Sequence, residues 1–325
     1  MFNYISGEQV PLVAFIGVMF AFLATCFFIG KFNCYLPKDI GRDYAHDGKL
    51  SAGKPRGAGF IFILVFLGSA LIFAPIGMEI IIYLILLFAA MMTGFLDDAS
   101  KAPWGEYKKG LLDLLIAVVV AVTYLKYNDN TVYLAMFDYT FTIPVLVYGI
   151  LIVVLVWASI NVTNCADGVD GLSGTLTIVT VMSIYVINQM LNVGSDMNYL
   201  ILLFIVCILG YLWYNATPSK LLMGDAGSRA MGLFIAIAIL KTGSPFLYLL
   251  LAVVLILDGG LGLIKVALLR FLKIHILKNV RTPLHDQVRK VDGWSNTQTV
   301  FRFAIIQIVV SVATVYMIYV LNGGK

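Results

Sequence analysis

Ten apolar runs, each near the length needed to cross the hydrocarbon core of a bilayer, constrain this chain more than any other feature. Of its 325 residues, 61% are hydrophobic and only 12% are charged, and no soluble core needs so much apolar sequence. We therefore predict an all-α integral membrane protein with about ten transmembrane helices, folded as a single domain over residues 1–325. The predicted spans are 10–30, 57–74, 78–96, 111–126, 143–160, 172–191, 198–214, 229–242, 245–268 and 302–322.

The distribution of basic residues orients this bundle. All Lys and Arg residues except Lys126, Lys241 and Lys325 fall in alternate loops, which predicts that those loops are cytoplasmic and that both termini are extracytoplasmic. The net charge of +4 then describes a basic cytoplasmic face, and we expect no nucleic-acid partner. Residues 127–142 alternate between apolar and polar around Asp138, which predicts a small extracytoplasmic β-hairpin.

Five aspartates lie at the predicted cytoplasmic ends of apolar spans: Asp97, Asp98, Asp167, Asp170 and Asp225. Carboxylates at the edge of hydrocarbon are costly, so such clusters usually mark an ion or substrate site. Their settings, GFLDDAS, NVTNCADGVDGL and MGDAGS, are rich in Gly and Asn. This combination indicates phosphate and divalent-metal chemistry.

Asp97 and Asp98 end the third span, where the helix already carries partial negative charge. A functional interpretation needs a nearby cation, either Mg²⁺ or one of Lys101, Lys108 and Lys109. The alternative is an ordinary solvated helix end.

Asp167 and Asp170 are three residues apart, so on a helix they share a face. Helix capping is the alternative, although one Asp suffices for a cap. Small residues around Asp225 precede a helix N-terminus, which favours anion binding beside a carboxylate that can hold a metal. A single loop histidine such as His285 is, by itself, more often a structural or solvated side chain than a catalytic one.

Together the Asp pair, NxxNxxDGxDGL, GDxGS and the TPLH of the last inner loop resemble the polyprenyl-phosphate N-acetylhexosamine-1-phosphate transferase family. The resemblance extends from about Lys31 to Arg302. The TPLH string resembles the one found in the MurNAc branch of the family and differs from that of its GlcNAc relatives. The resemblance implies Mg²⁺-dependent transfer of phospho-MurNAc-pentapeptide from UDP-MurNAc-pentapeptide to undecaprenyl phosphate, which gives lipid I and UMP for peptidoglycan synthesis. It further implies a bacterial inner membrane protein with a cytoplasmic active site, and a homodimer.

The resemblance also implies roles for individual residues. Asp225 would be the Mg²⁺ ligand, and one of Asp97 and Asp98 would activate the lipid phosphate. The implied catalytic residues are Asp97, Asp98, Asp225 and His285. The implied substrate-binding residues are Lys101, Lys109, Asn164, Asp167, Asp170, Asn215, Gly224 and Lys265, the last where the family has Gln.

Three departures from the family pattern stand out. The family's histidine triplet reads His285-Asp286-Gln287 here, and Leu222 stands where a Phe commonly precedes Met-Gly-Asp. The family's KxGTPTMGG reads SAGKPRGAG, with Lys49 or Lys54 as stand-ins for the displaced lysine.

Two other functions remain open at this point. A related transferase acting on UDP-GlcNAc or another HexNAc donor, for teichoic acid or O-antigen synthesis, would share most of these strings, although TPLH argues against it. An ion-coupled transporter would place its acids near the bilayer midplane in paired halves. Here the acids gather at one side and the sequence shows no repeat.

Overall fold

The computed structural model describes residues 10–41, 51–100, 102 and 104–321, and most of them are helical. Within these ranges seven helices are long and apolar enough to cross a membrane, and one bent pair would make an eighth span. The helices are α1 (Val10–Phe32), α2 (Ala58–Phe73), α3 (Met78–Asp98), α4 (Glu106–Tyr127), α5 (Val145–Cys165), α6 (Leu172–Leu191), α7 (Ser195–Asn215), α8 (Gly224–Leu240), α9 (Pro245–Leu251), α10 (Val253–Leu272), α11 (Leu284–Lys290) and α12 (Asn296–Leu321). The strands are β1 (Thr131–Leu134) and β2 (Tyr139–Thr142).

The predicted all-α membrane architecture is confirmed, and so is the small β-hairpin. Strands β1 and β2 pair antiparallel, with Thr131 opposite Thr142. The count of ten spans stays a prediction, because α2 and α8 have 16 and 17 residues and are shorter than the other candidate spans. The extracytoplasmic position of the hairpin and of both termini also stays a prediction.

Helix α8 lies at the centre of the bundle. All of its residues are buried, and it packs against α2, α3 and α5. Glycines permit this packing: a Cβ atom added at Gly59 of α2 would overlap the backbone of Gly227, and one at Gly232 would overlap the backbone of Ser159. Small residues let helix backbones approach closely where hydrophobic driving force is weak. The N-terminus of α8 is thereby fixed among the ends of its neighbours.

The ninth apolar run is broken, where the sequence suggested one continuous span over 245–268. Helices α9 and α10 meet at Ala252 with a bend of 71°. Backbone groups freed by a break need partners where water is absent. Gln307 of α12 donates to the Leu250 carbonyl at 3.2 Å and accepts from the Val254 N–H at 3.0 Å. The Thr180 hydroxyl donates to the Leu251 carbonyl at 2.7 Å. Side chains from two other helices therefore maintain the bend.

Candidate active site

Carboxylates from two helices meet at a single lysine. Asp97 lies in the last turn of α3, Asp225 in the first turn of α8, and Lys109 in the first turn of α4. The ammonium of Lys109 lies 3.1 Å from Oδ2 of Asp225 and also pairs with Asp97. The sequence analysis predicted a cation near the Asp pair and named Lys109 among the candidates. The structure pairs Lys109 with Asp97.

Arg56 is the second cation of this region. Its Nε donates to Oδ1 of Asp98 at 2.8 Å, Nη1 to Oδ1 of Asp39 at 3.2 Å, and Nη2 to Oδ1 of Asp225 at 3.3 Å. We call Asp39, Asp97, Asp98 and Asp225 the acid cluster. Among the described side chains, four carboxylates are bridged by two cations, so the ionised cluster keeps a net negative charge.

Backbone N–H groups complete the hold on the Asp pair. The Trp104 N–H donates to Asp97 at 2.7 Å, and the Ala226 N–H, at the start of α8, donates to Asp98 at 3.2 Å. Gly224 has a φ of +73°, and a Cβ atom there would overlap the Asp98 carboxylate. Only glycine satisfies both conditions, which explains why this position begins α8 without a side chain.

A polar cavity of about 430 Å³ opens beside the acid cluster. Its wall includes many of the residues implied by the sequence: Asn164, Asp167, Asp170, Asn215, Gly224 and Asp225. Three cations also line it, namely Lys54, Arg56 and Arg289. The volume lies within the range of small-molecule sites, and the charges of both signs suit a ligand that carries phosphates.

The helical placement of Asp167 and Asp170 was wrong. Both lie in the non-helical segment between α5 and α6, because the two glycines of DGVDG interrupt the helix and Gly171 has a φ of +84°. Asp167 accepts from the Ser173 hydroxyl at 2.5 Å, and Asp170 accepts from the Ser219 N–H at 3.2 Å. They still reach the cavity, although by a loop and not by a shared helix face.

Burial makes the carboxyl group of Asp167 a weaker acid than that of an ordinary aspartate. Desolvation raises the pKa of its carboxyl group to about 6, and the hydroxyl of Ser173 and the charge of Arg56 only partly oppose this. The group therefore changes charge close to neutral pH.

Asn215 joins the two loops that form the cavity wall. Its Oδ1 accepts from the Gly171 N–H at 2.7 Å, and its Nδ2 donates to the Leu221 carbonyl at 2.8 Å. The side chain thus fixes the DGVDG loop against the segment that leads into α8.

His285 is oriented by an aspartate that the sequence argument missed. Its Nδ1 lies 2.8 Å from Oδ2 of Asp258, and its backbone N–H donates to Oδ1 of the same carboxylate at 2.7 Å. A carboxylate accepts, so Nδ1 carries the proton and Nε2 faces Gly168, where a Cβ atom would overlap the ring. Asp258 sits in the π-helical turn Ile256–Gly260. An Asp inside an apolar span was the available signal.

The remaining expected positions are spread more widely. Lys265 donates to the carbonyls of Leu277 and Val280 at 3.1 and 2.9 Å, and the structure does not bring it to the cavity wall. Lys101 and Lys49 lie outside the described residues. Leu222 lines the cavity in place of the family's Phe.

The two residues that replace the family's second and third histidines bind within their own segment. Asp286 pairs with Arg289 at 2.9 Å, and the Gln287 amide oxygen accepts from the Arg281 N–H at 2.8 Å.

The donor chemistry of the acid cluster fits a magnesium ion. Mg²⁺ prefers oxygen ligands and commonly takes one or two carboxylates together with substrate phosphates. Each oxygen of Asp225 faces a cation, so this carboxylate marks a point that favours positive charge. Within the described ranges, no three Asp, Glu, His or Cys side chains form a metal-binding group. The residues therefore suit an ion held by few protein atoms, with Asp225 foremost.

An apolar groove of about 620 Å³ lies next to the acid cluster, between α1, α2 and α3. At one end Phe60 and Phe95 stack with ring centroids 4.4 Å apart. Phe95 is one helical turn before Asp98. The groove thus offers a hydrocarbon-compatible surface that ends close to the carboxylates.

Comparisons with known proteins agree with this arrangement. Residues 80–243 match the family described as Glycosyl transferase family 4. A phospho-N-acetylmuramoyl-pentapeptide-transferase from Treponema pallidum is 43% identical over 294 residues, which cover 84% of this chain and 80% of the relative. Enzymes of the same name from Symbiobacterium thermophilum and Helicobacter pylori are 31% and 25% identical, over 78% and 94% of this chain and 78% and 93% of the relatives.

The chain belongs to the phospho-N-acetylmuramoyl-pentapeptide-transferase family. It is a phosphoglycosyl transferase of peptidoglycan synthesis and a multi-pass membrane protein. The family resemblance noted from the motifs is confirmed, and the transporter interpretation is wrong for this chain.

The structure of this transferase family member places four further charged residues at or near the candidate site that its motifs did not single out. Asp39 of the acid cluster, Asp258 behind His285, and Arg289 on the cavity wall lie outside the recognised strings, and Arg56 lies within SAGKPRGAG at a position where the family has Thr. Only Asp258 gave a signal that could have been used, because it is a charge within an apolar run.

Proposed function

We propose that this transferase moves phospho-MurNAc-pentapeptide from UDP-MurNAc-pentapeptide to undecaprenyl phosphate, forming lipid I and UMP on the cytoplasmic side of a bacterial inner membrane. The family to which the chain belongs supports this choice of donor and acceptor. One observation carries the proposal: the adjacent Asp97 and Asp98 meet the distant Asp225 and share two cations with it beside a polar cavity.

The reaction brings two anionic phosphates together, so catalysis depends on positioning and on charge. Lys109 stands between Asp97 and Asp225, where an ammonium can stabilise negative charge on the transferring phosphate. The N-terminus of α8 directs backbone N–H groups at the same place. Asp225 would hold Mg²⁺, which when bound offsets the charge of the diphosphate.

The Asp pair receives the acceptor. Either Asp97 or Asp98 removes the proton from the lipid phosphate or orients it for attack, and a double displacement through an Asp nucleophile remains an alternative. Both carboxylates are nearly buried, with side chains at most 5% exposed. An acid in this position exchanges its proton with a bound substrate more readily than with bulk water.

The nucleotide and the lipid approach from different sides. The polar cavity, with Asn164, Asp167 and Asp170 on its wall, takes the uridine and diphosphate. The apolar groove of α1, α2 and α3 takes part of the isoprenoid chain. Both end at the acid cluster, as a transfer between a soluble and a lipid substrate requires.

Turnover by purified protein in detergent tests this proposal. The assay supplies UDP-MurNAc-pentapeptide and undecaprenyl phosphate, with MgCl₂ or EDTA, and measures lipid I and UMP. We expect product only with the metal, and none from Asp97→Asn, Asp98→Asn or Asp225→Asn, because each removes one carboxylate charge of the cluster. Asp138→Asn is the matched control, since this aspartate lies in the turn of the hairpin and bonds only to Tyr133 among the described side chains.

Melting temperatures distinguish a variant that has lost its catalytic role from one that has lost its fold. All four variants should melt within a few degrees of the wild type, on the order of the change expected for a tolerated substitution. Near wild-type turnover by any of the three cluster variants would contradict the role assigned to that residue. Preference for UDP-GlcNAc over UDP-MurNAc-pentapeptide would overturn the choice of donor.

A further inference from the structure

Arg56 belongs to residues 51–59, which we call the strap. Backbone hydrogen bonds join the strap to the segment that leads into α8. The Leu222 N–H donates to the Pro55 carbonyl at 2.8 Å, and the Leu222 carbonyl accepts from the Ala58 N–H at 3.1 Å. The Gly59 N–H donates to the Met223 carbonyl at 3.0 Å. These bonds run along both sides of Arg56, so its backbone is fixed beside the loop that carries Asp225.

The three carboxylates do not use all the N–H donors of the Arg56 guanidinium. A guanidinium carries one N–H on Nε and two on each terminal nitrogen. Its bonds to Asp98, Asp39 and Asp225 use one donor per nitrogen. Counting partners among the described residues, each terminal nitrogen therefore keeps a second N–H, and the side chain is 18% exposed on the wall of the polar cavity.

The charge of Arg56 is secure in this position. Burial alone would lower its pKa, but the negative charges of Asp98 and Asp225, with hydrogen bonds from the guanidinium to Asp98 and Asp39, raise it overall. A planar cation with two parallel donors suits phosphate oxygens better than a lysine does. Three carboxylates hold it in one orientation, which reduces the entropy lost when a ligand binds.

The strap also contains basic residues that stand in for the lysine of the family's KxGTPTMGG string. In SAGKPRGAG, neutral Ser51 takes the place of the lysine, while Lys54 and Arg56 take the places of two threonines. Lys54 donates to the Ser219 hydroxyl at 3.0 Å on the cavity wall. Of these two cations, Arg56 is the one that contacts the acid cluster.

We propose that Arg56 is a diphosphate-binding residue of the nucleotide site. This inference rests on the proposed function. Its guanidinium forks onto the oxygens of the donor's diphosphate while Asp98, Asp39 and Asp225 hold it from behind. A residue that served only to neutralise the cluster would not need to face the cavity.

Equilibrium binding without the lipid acceptor tests the role separately from turnover. Calorimetry measures the affinity of UDP and of uridine for the wild type, Arg56→Gln, Arg56→Lys and Arg270→Gln, in EDTA and again in MgCl₂. Arg270 is the matched control, because it pairs with exposed Glu106 and touches no member of the acid cluster.

We expect Arg56→Gln to weaken UDP binding about 10- to 100-fold, since hydrogen bonds between charged groups contribute on that scale. Uridine affinity should stay within about twofold, because uridine has no phosphate. Arg56→Lys should lose part of the UDP affinity, since an ammonium cannot fork, and Arg270→Gln should bind like the wild type.

Each contrary result has its own meaning. Equal UDP binding by Arg56→Gln and the wild type overturns the inference, as does an equal loss of UDP and uridine, which indicates a structural role. If Arg56→Gln does not fold, Arg56→Lys decides by the same comparison. A wild type that binds neither uridine nor UDP would refute the proposed function itself.

Discussion

The ion pair between Asp113 of α4 and Arg229 of α8 offers a quantitative test of how this bundle is held together. Nε of Arg229 lies 3.2 Å from Oδ1 of Asp113, Nη2 pairs with the same oxygen, and both side chains are only 2% exposed. Nη2 also donates to the Lys109 carbonyl at 3.4 Å. The pair therefore joins α4 to α8 and fixes the helical turn that presents Lys109.

Asp113→Leu leaves a buried guanidinium without its carboxylate. Breaking a buried pair from one side costs about 3–5 kcal/mol, whereas replacing both partners by apolar residues is often close to neutral. The fall in melting temperature should be on the order of 10 °C for the single variant. Asp113→Leu combined with Arg229→Met should recover most of it.

Thermal melting in one detergent, followed by intrinsic fluorescence, measures both effects. Glu106→Ala is the control: it breaks the exposed pair with Arg270 and should leave the melting temperature nearly unchanged. The double variant should stay poorly active even when stable, because the Lys109 turn loses its anchor. If Asp113→Leu melts within about 2 °C of the control, the pair does not stabilise the bundle and the reasoning is wrong.

Two further predictions concern packing and pH. Gly59→Ala should abolish stable expression, because the new methyl group would overlap the backbone of Gly227, whereas Gly68→Ala on the same helix has open space and should behave as the wild type in expression and melting. Asp167→Asn should match the wild type in stability near pH 4 and exceed it above about pH 6, by roughly 1–2 kcal/mol after allowance for partial exposure. The sign follows because the folded pKa of Asp167 is about 6, above its unfolded value, so ionisation destabilises the folded state as pH rises. Melting curves across pH would contradict this if the two proteins differed most in acid.

Local sequence was sufficient to predict most of the long helices and the aspartates at the ends of α3 and α8. The sixth span was predicted at the bounds of Leu172–Leu191, because apolar length and flanking glycines are local properties. The sequence analysis placed Asp97, Asp98 and Asp225 on one side of the membrane, and this predicted that they lie near one another. The distances within the cluster could not be predicted from the sequence.

Arg56 was not predicted because its three acidic partners come from separate parts of the chain. Nothing within its own segment distinguishes it from Lys54. The bend at Ala252 was also missed, since no proline or glycine stands at the break and the groups that satisfy it belong to α6 and α12. Asp113, Arg229 and Asp258 carried a usable signal, because charges inside apolar runs require partners.

The amide of Gln307 has a consequence for how this transferase can change over evolutionary time. A leucine there would leave the Val254 N–H and the Leu250 carbonyl without their side-chain partner at a depth where lipid offers none. The kinked helix carries Asp258, which orients His285, so a substitution in α12 would affect the position of His285 without contacting it. Homologues that lose the amide should either straighten this helix or gain another polar side chain at the same height.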